Sequence, residues 1–366
     1  MPITLDGTNG ITTPTYGGAD TSEYLVPVTQ FKNRIINGAM TIDQRNAGAS
    51  VTPTNGQYLV DRWQAWVGAT ASKYTAQQSS TAPTGFINSL KITSTSAFTP
   101  ASGDLYGFAQ VIEGLNCTDL GWGTANAKTV TLSFWVYSSI IGQFGGSIYN
   151  NGNSRFYPFS YTISATNTWQ QISITIAGDT TGTWLTTNGR GMIVVWGTST
   201  GSTYTGAAGS WGSTAYYNST GSTNLLGTNG ATFYITGVQL EVGSSATSFE
   251  TRSYGTELGL CQRYFYKSYN QNIAVGSSDS DGQIVHTACA STMYVGHRWK
   301  QNMRTNPTVT FYSIVTAGGT YWNRFDDNTI LTTLAQSPNP DGVRIQTSTN
   351  TDGQRYGGHI VADAEL

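Results

Sequence analysis

Along most of the chain, apolar residues recur at every second position in short runs, and each run ends in a cluster of Gly, Asn, Ser and Thr. In TVTLSFWVY, Val130, Leu132, Phe134 and Val136 fall on one face by a period of two, and in QISITIA Ile172, Ile174 and Ile176 do the same. Such alternation predicts half-buried antiparallel strands. Between residues 31 and 250 the pattern predicts strands in YLVDRWQAWVG (58–68), SLKITST (89–95), GFAQVIEGL (107–115), KTVTLSFWVYSS (128–139), WQQISITIAG (169–178), GRGMIVVWGTST (189–200) and ATFYITGVQLEVG (231–243). Turn clusters separate them, and a 3.6-residue period is not sustained. The one modest helix candidate is YGTELGLCQRYFYKS, 254–268.

The expected fold is therefore all-β: a jelly-roll β-sandwich over residues 31–255, then a smaller β-sandwich over 256–366, with an extended N-terminal arm over 1–30. Jelly-roll connectivity is preferred because the first region is long and its strands are many. In the second region QIVHTACAS, STMYVGHRWK, PTVTFYSIV, YWNRFD, DGVRIQTST and HIVADAEL read as strands, after an aromatic hinge CQRYFYKSYN. The arm has turn signals at Asp6-Gly7 and Asn9-Gly10, prolines at 14 and 27, and little periodicity. It reads either as a loose tail or as a segment that becomes ordered on a neighbouring chain or larger assembly. No fixed-period repeat is present, which argues against solenoids and propellers.

Composition narrows the function. Charged residues make up 10% of the 366 residues, against about 25% in ordinary soluble domains. A net charge of −2 provides no basic stripe for a phosphate backbone, so no nucleic-acid partner is expected. No apolar run is long enough to span a bilayer, and MPITLDGTNG has neither a basic nor an apolar leader region. Synthesis in a cytoplasm without an export signal, and no membrane insertion, are expected. Cys117, Cys261 and Cys289 lack CxxC spacing and are read as small core residues rather than a disulfide framework or zinc site.

Catalytic signals are weak. There are three histidines, His286, His297 and His359, all in the second region, so no serine–histidine triad is expected. The carboxylates are scattered, and Asp61 beside Arg62 and Glu250 near Arg252 look like ion-paired fold residues. A catalytic pair assembled across strands or subunits stays open, and with it a glycan depolymerase. SSDSDGQ resembles the first half of a calcium loop but lacks the closing Glu and reads better as an Asp-Gly hairpin turn. No catalytic residue, metal site or cofactor is expected.

Two constellations remain. In NRIINGAMTIDQRNAG (33–48), Asn33, Asn37, Gln44 and Arg45 read as a hydrogen-bonding network closing the fold, with Asp61, Arg62, Glu250 and Arg252 as further members. Arg34 and Arg45 are expected to pair with acids such as Asp61 or Glu250. Ten Trp and 21 Tyr exceed what a core requires, and several sit in Gly-, Ser-, Thr- and Asn-rich loops. Trp184, Tyr204, Trp211, Tyr216 and Tyr217 are candidate glycan-binding residues, with Trp299 and Trp322 as weaker ones. Ring faces beside amides and hydroxyls match a sugar's C–H faces and hydroxyls. The alternative is that these loops fold down and cap the sandwich ends, or bury their rings between protomers.

FKNRIINGAMTIDQRNAG followed by YLVDRWQAW, together with ITGVQLEVGSSATSFETRSYGTELGLCQRYF, resembles bacteriophage tail-fibre and receptor-binding virion proteins with a carbohydrate-binding-module-like jelly roll. SFWVYSS and Trp169 resemble strands of that jelly roll, and the ending VADAEL resembles the small β domain that follows it. The resemblance implies a virion structural protein, a homotrimer, attached to another virion protein through residues 1–30 and binding a host surface polysaccharide for adsorption. It supplies no catalytic residues. A capsid head fibre or decoration protein, or another structural tail component, fits the same resemblance.

Overall fold

The computed structural model describes residues 4–6, 10–12, 31–68, 72–315, 321–348 and 350–366. Near the start, β1 (Thr4–Asp6) and β2 (Gly10–Thr12) pair antiparallel, with Leu5 opposite Ile11. Residues 1–3, 7–9 and 13–30, the remainder of the expected arm, lie outside the described residues.

Asn33–Leu366 forms a second unit whose core lies between two antiparallel sheets. The first has six strands in the order β10 (Phe156–Ile163), β9 (Gly142–Asn150), β12 (Arg190–Thr200), β7 (Leu105–Glu113), β4 (Trp63–Trp66) and β3 (Tyr58–Val60). The second has five: β11 (Gln170–Ile176), β8 (Val130–Ser138), β15 (Thr232–Val242), β6 (Ser89–Ser94) and β5 (Tyr74–Ser79). The chain crosses repeatedly between them, as a jelly roll does. The alternating faces meet in the middle, where Phe108, Phe134, Val136, Ile148, Trp196, Ile235 and Leu240 share one fully buried cluster. Trp196 stacks on Phe108 at 5.7 Å and meets Trp63 at 5.5 Å.

The helix candidate divides in two. α1 (Tyr254–Gln262) is capped by the Ser253 side chain, and the aromatic run after it becomes β16 (Phe265–Lys267), all three residues buried. β16 opens an eight-stranded sheet that continues through β23 (Arg355–Asp363), β20 (Trp322–Arg324), β21 (Ile330–Asn339), β22 (Gly342–Ser348) and β18 (Thr292–Arg298). β17 (Ile284–Thr287) and β19 (Thr308–Tyr312) also pair with β23, so the sheet is organised around that strand. Tyr266, Phe311, Trp322, Ile345 and Ile360 share its core. Two short segments, β13 (Thr205–Gly206) and β14 (Asn218–Ser219), pair parallel within the long loop after β12. Cys117 and Cys261 are buried but Cys289 is exposed, correcting the reading of all three as core.

The opening segment seals the sandwich. The Asn33 side chain accepts from Leu240 N and Ile35 N at 3.0 and 2.9 Å and donates to Val238 O at 3.0 Å, so one amide joins the first segment to β15. Glu250 accepts from Asn33 N, and Arg252 donates to Glu250 and to the carbonyls of Asn33 and Ile35. The Asn37 amide ties Ile42 and Asp61 together, while Gln44 donates to both Asp61 oxygens and to Phe265 O. The expected pairings need correction. Arg34 pairs with Asp119, Arg45 with Asp363 and Glu365, and Arg62 with Glu365 rather than with its neighbour Asp61. Asp61 lies against the Gln44 amides, and β23 brings Asp363 and Glu365 to the guanidinium groups instead.

Candidate functional site

Four loops converge at one end of the sandwich. Trp122 comes from the β7–β8 loop, Trp184 from the β11–β12 loop and Trp211 from the β12–β15 loop; the β9–β10 loop supplies the ties between them. Asn150 Nδ2 donates to Thr183 O at 2.9 Å, and Arg155 holds Asp179 with two bonds of 2.8 Å. Burial alone would raise the Asp179 carboxyl, but the bonds from Arg155, Thr181 and Trp184 outweigh it and hold the group below its ordinary value. The pair is a fixed strut, ionised at neutral pH.

The long loop reaches this end by docking on β10. Phe156 and Gly212 exchange backbone bonds of 2.8 and 2.9 Å, and Gly209 N donates to Pro158 O at 2.9 Å. β10 is the edge of its sheet, which is why it tolerates Pro158. The loop covers that edge.

The three indoles meet edge to face. Ring centroids lie 4.7 Å apart for Trp122 and Trp184, 5.2 Å for Trp122 and Trp211, and 5.6 Å for Trp184 and Trp211. Tyr157 closes the group at 5.2 Å from Trp211. Every indole N–H is engaged inside the protein: Trp122 donates to Lys128 O, Trp184 to Asp179 and Trp211 to Ala177 O. Trp122 is buried, while Trp184 and Trp211 are half-buried, with Thr181, Thr183, Asn151 and Asn153 exposed around them. The outward chemistry of this rim is therefore apolar ring surface fringed by hydroxyls and amides, on loops bonded to one another.

The other candidates lie elsewhere. Tyr204 and Tyr217 pack with Trp66, Tyr149 and Phe156 on the outer face of the six-stranded sheet, with Tyr217 at 5.2 Å from Trp66 and 5.3 Å from Tyr204. Tyr216 lies flat on Gly206, where a Cβ would come within 2.1 Å of its ring. Trp299 and Trp322 are corrected outright. Trp322 is 0% and Trp299 7% exposed, and their N–H groups bond His359 O and Asn339 O. Both belong to the core of the eight-stranded sheet, where Trp322 packs against Phe311 at 5.7 Å and Trp299 against Tyr266 at 5.5 Å. Trp122 and Tyr157 are the members that the sequence reading missed. Trp122 stands in GWGTANAK, the same kind of Gly- and Thr-rich loop, and that signal could have found it. In SSDSDGQ, Asp281 and Gly282 make a turn before β17, and no group of three or more metal-ligating side chains exists among the described residues.

No protein-family model and no curated relative matches this sequence. Among solved structures, the chain is similar to the enzymatically active domain of tailspike protein 4 from bacteriophage CBA120, at 12% identity and a TM-score of 0.32, over 58% of this chain and 22% of that one. It is also similar to a family 11 carbohydrate-binding module from Clostridium thermocellum solved with a β-1,3-1,4-mixed-linked tetrasaccharide, at 13% identity, a TM-score of 0.29, and 53% and 96% coverage. A third similar structure is TmCBM61 in complex with β-1,4-galactotriose, at 9% identity, a TM-score of 0.30, and 58% and 100% coverage. The chain thus spans under a quarter of the tailspike chain. Likenesses this partial say nothing of ligand, activity or assembly, which the chain's own side chains must carry.

Proposed function

We propose that this protein is a non-catalytic virion fibre protein that binds host surface glycan at the Trp184–Trp211 rim, assembles as a homotrimer, and attaches to its particle through residues 1–30. The observation that carries the glycan reading is the rim itself. Two half-exposed indoles, braced against Trp122 and Tyr157, offer rigid ring faces at low ordering cost. The virion setting is supported by the two sequence patches that resemble phage receptor-binding fibres. The non-catalytic reading is supported by the carboxylates, since Glu113, Asp179, Glu250 and Glu257 are each held by an arginine, and Asp61, which is not, is sealed from solvent at 1% exposure. A single rim would bind weakly, and three on one particle raise avidity through effective concentration.

The test is titration of the recombinant protein with host surface polysaccharide, followed by tryptophan fluorescence. Trp184→Ala and Trp211→Ala are each expected to weaken binding about three- to tenfold with the fold retained. Unchanged binding by both folded variants overturns the rim assignment. The internally engaged N–H groups favour a second reading, in which the rim is a structural cap on a capsid head-fibre or decoration protein. In that case the same variants lower stability and leave adsorption untouched, and a density map of the particle places the protein on the head. Release of reducing ends from the polysaccharide would instead establish a depolymerase.

A further inference from the structure

β19 carries a second surface suited to a ligand. Val309 and Phe311 turn toward the core of the eight-stranded sheet, which leaves Thr308, Thr310 and Tyr312 on the opposite face. They border a cavity of about 680 Å³ together with Arg45, Val361 and Asp363. Thr308 lies across from Asp363 and Thr310 across from Val361, so the hydroxyl row runs beside one carboxylate and one apolar floor residue. Among the described residues, the side-chain hydroxyls of Thr308, Thr310 and Tyr312 make no hydrogen bond within the protein, and all three residues line the cavity.

The charged members are already matched. Arg45 lies 3.6 Å above the Phe265 ring and bonds Asp363 at 3.0 Å and Glu365 at 2.9 Å. Arg304 donates to the carbonyls of Ala364, Glu365 and Asn188. Two cations and two carboxylates line the cavity, so it carries no net charge to attract an ion. The Asp363 side chain is still 40% exposed and can accept further hydrogen bonds. Alternate strand residues are spaced by about 7 Å, so the three hydroxyls form a row too long for one sugar ring.

We infer that this groove is a binding site for an extended, neutral oligosaccharide, whose hydroxyls bond Thr308, Thr310, Tyr312 and Asp363 while its C–H faces rest on the half-buried Tyr312 ring. It shares the saccharide class with the Trp184–Trp211 rim but none of its residues.

The experiment is an NMR titration of the isotopically labelled full chain with neutral tetrasaccharides of gluco, galacto and manno configuration, and with the matching tetra-uronates. A neutral tetrasaccharide is expected to shift the amide signals of residues 308–312 and 361–363 at millimolar concentration. Thr310→Val combined with Tyr312→Phe, in a variant whose spectrum is otherwise unchanged, is expected to weaken that binding about tenfold. Trp211→Ala should leave these shifts in place, which separates failure of the rim from failure of the groove. The inference is overturned if no neutral tetrasaccharide perturbs these amides, if the folded double variant binds as well as the parent, or if a uronate binds more tightly than its neutral counterpart.

Discussion

Asp61 is 1% exposed, and its carboxylate faces the Gln44 amides rather than a bonded cation. Burial raises its pKa to about 6 from 3.8, against the opposing effects of Arg45 and the Gln44 bonds. The folded state thus holds this proton more tightly than the unfolded chain. The resulting stabilisation is full below pH 3.8 and is lost as pH rises through about 6. Asp61→Asn should flatten that slope by up to about 3 kcal/mol, as measured by denaturant unfolding across pH 4 to 7. A slope identical to the parent's would show that another group sets it. At this scale the amide-rich opening segment was legible, since so many Asn and Gln side chains in a charge-poor chain need a common purpose. Glu250 and Arg252 stood among the expected members of that network, and both bond Asn33, Glu250 from 217 residues away. The partners of Arg45 were not legible, since Asp363 is 318 residues away and no local pattern encodes such a separation.

Among the elements, β15 does two jobs. It pairs with β6 from Thr232 to Ile235, shifts register against β8 between Thr236 and Gln239, and then receives the opening segment at Val238 and Leu240. Gly237 makes the change possible: its φ is +61°, and a Cβ there would lie 2.6 Å from the Phe86 ring. Gly237→Ala is expected to cost about 1–3 kcal/mol, read as a lowered thermal midpoint. A midpoint within error of the parent would show that the bulge is not needed. The strands with clean alternation, such as β8 and β11, could be read from sequence. β9 and β10 could not, because Gly145-Gly146 and Pro158 erase the pattern in strands that the sheet supports by cross-strand pairing and edge position. The rim was half legible for a similar reason: loop composition marked Trp184 and Trp211, but only the folded loops bring Trp122 and Tyr157 against them.

Across Asn33–Leu366, charge ties the sandwich to the eight-stranded sheet. Arg62 is 1% exposed, stacked at 3.6 Å on Tyr264, and shares Glu365 with Arg45. Arg263 and Tyr264 both bond Glu113 of β7. Glu365→Gln would leave Arg62 without its counter-ion in a dry site, with an expected loss of about 3–5 kcal/mol. Calorimetry is expected to show one transition for the parent and two for the variant, the eight-stranded sheet melting first; one unshifted transition in the variant would refute the coupling. The partners of Arg45 and Arg62 follow them by 303 to 320 residues. At about 5–20 residues per second, these two guanidinium groups wait roughly 15–60 s on the ribosome before their carboxylates are made. The last strand of the sandwich, β15, is complete at Val242, so its core can form while Arg45 and Arg62 still lack the carboxylates that tie it to the eight-stranded sheet.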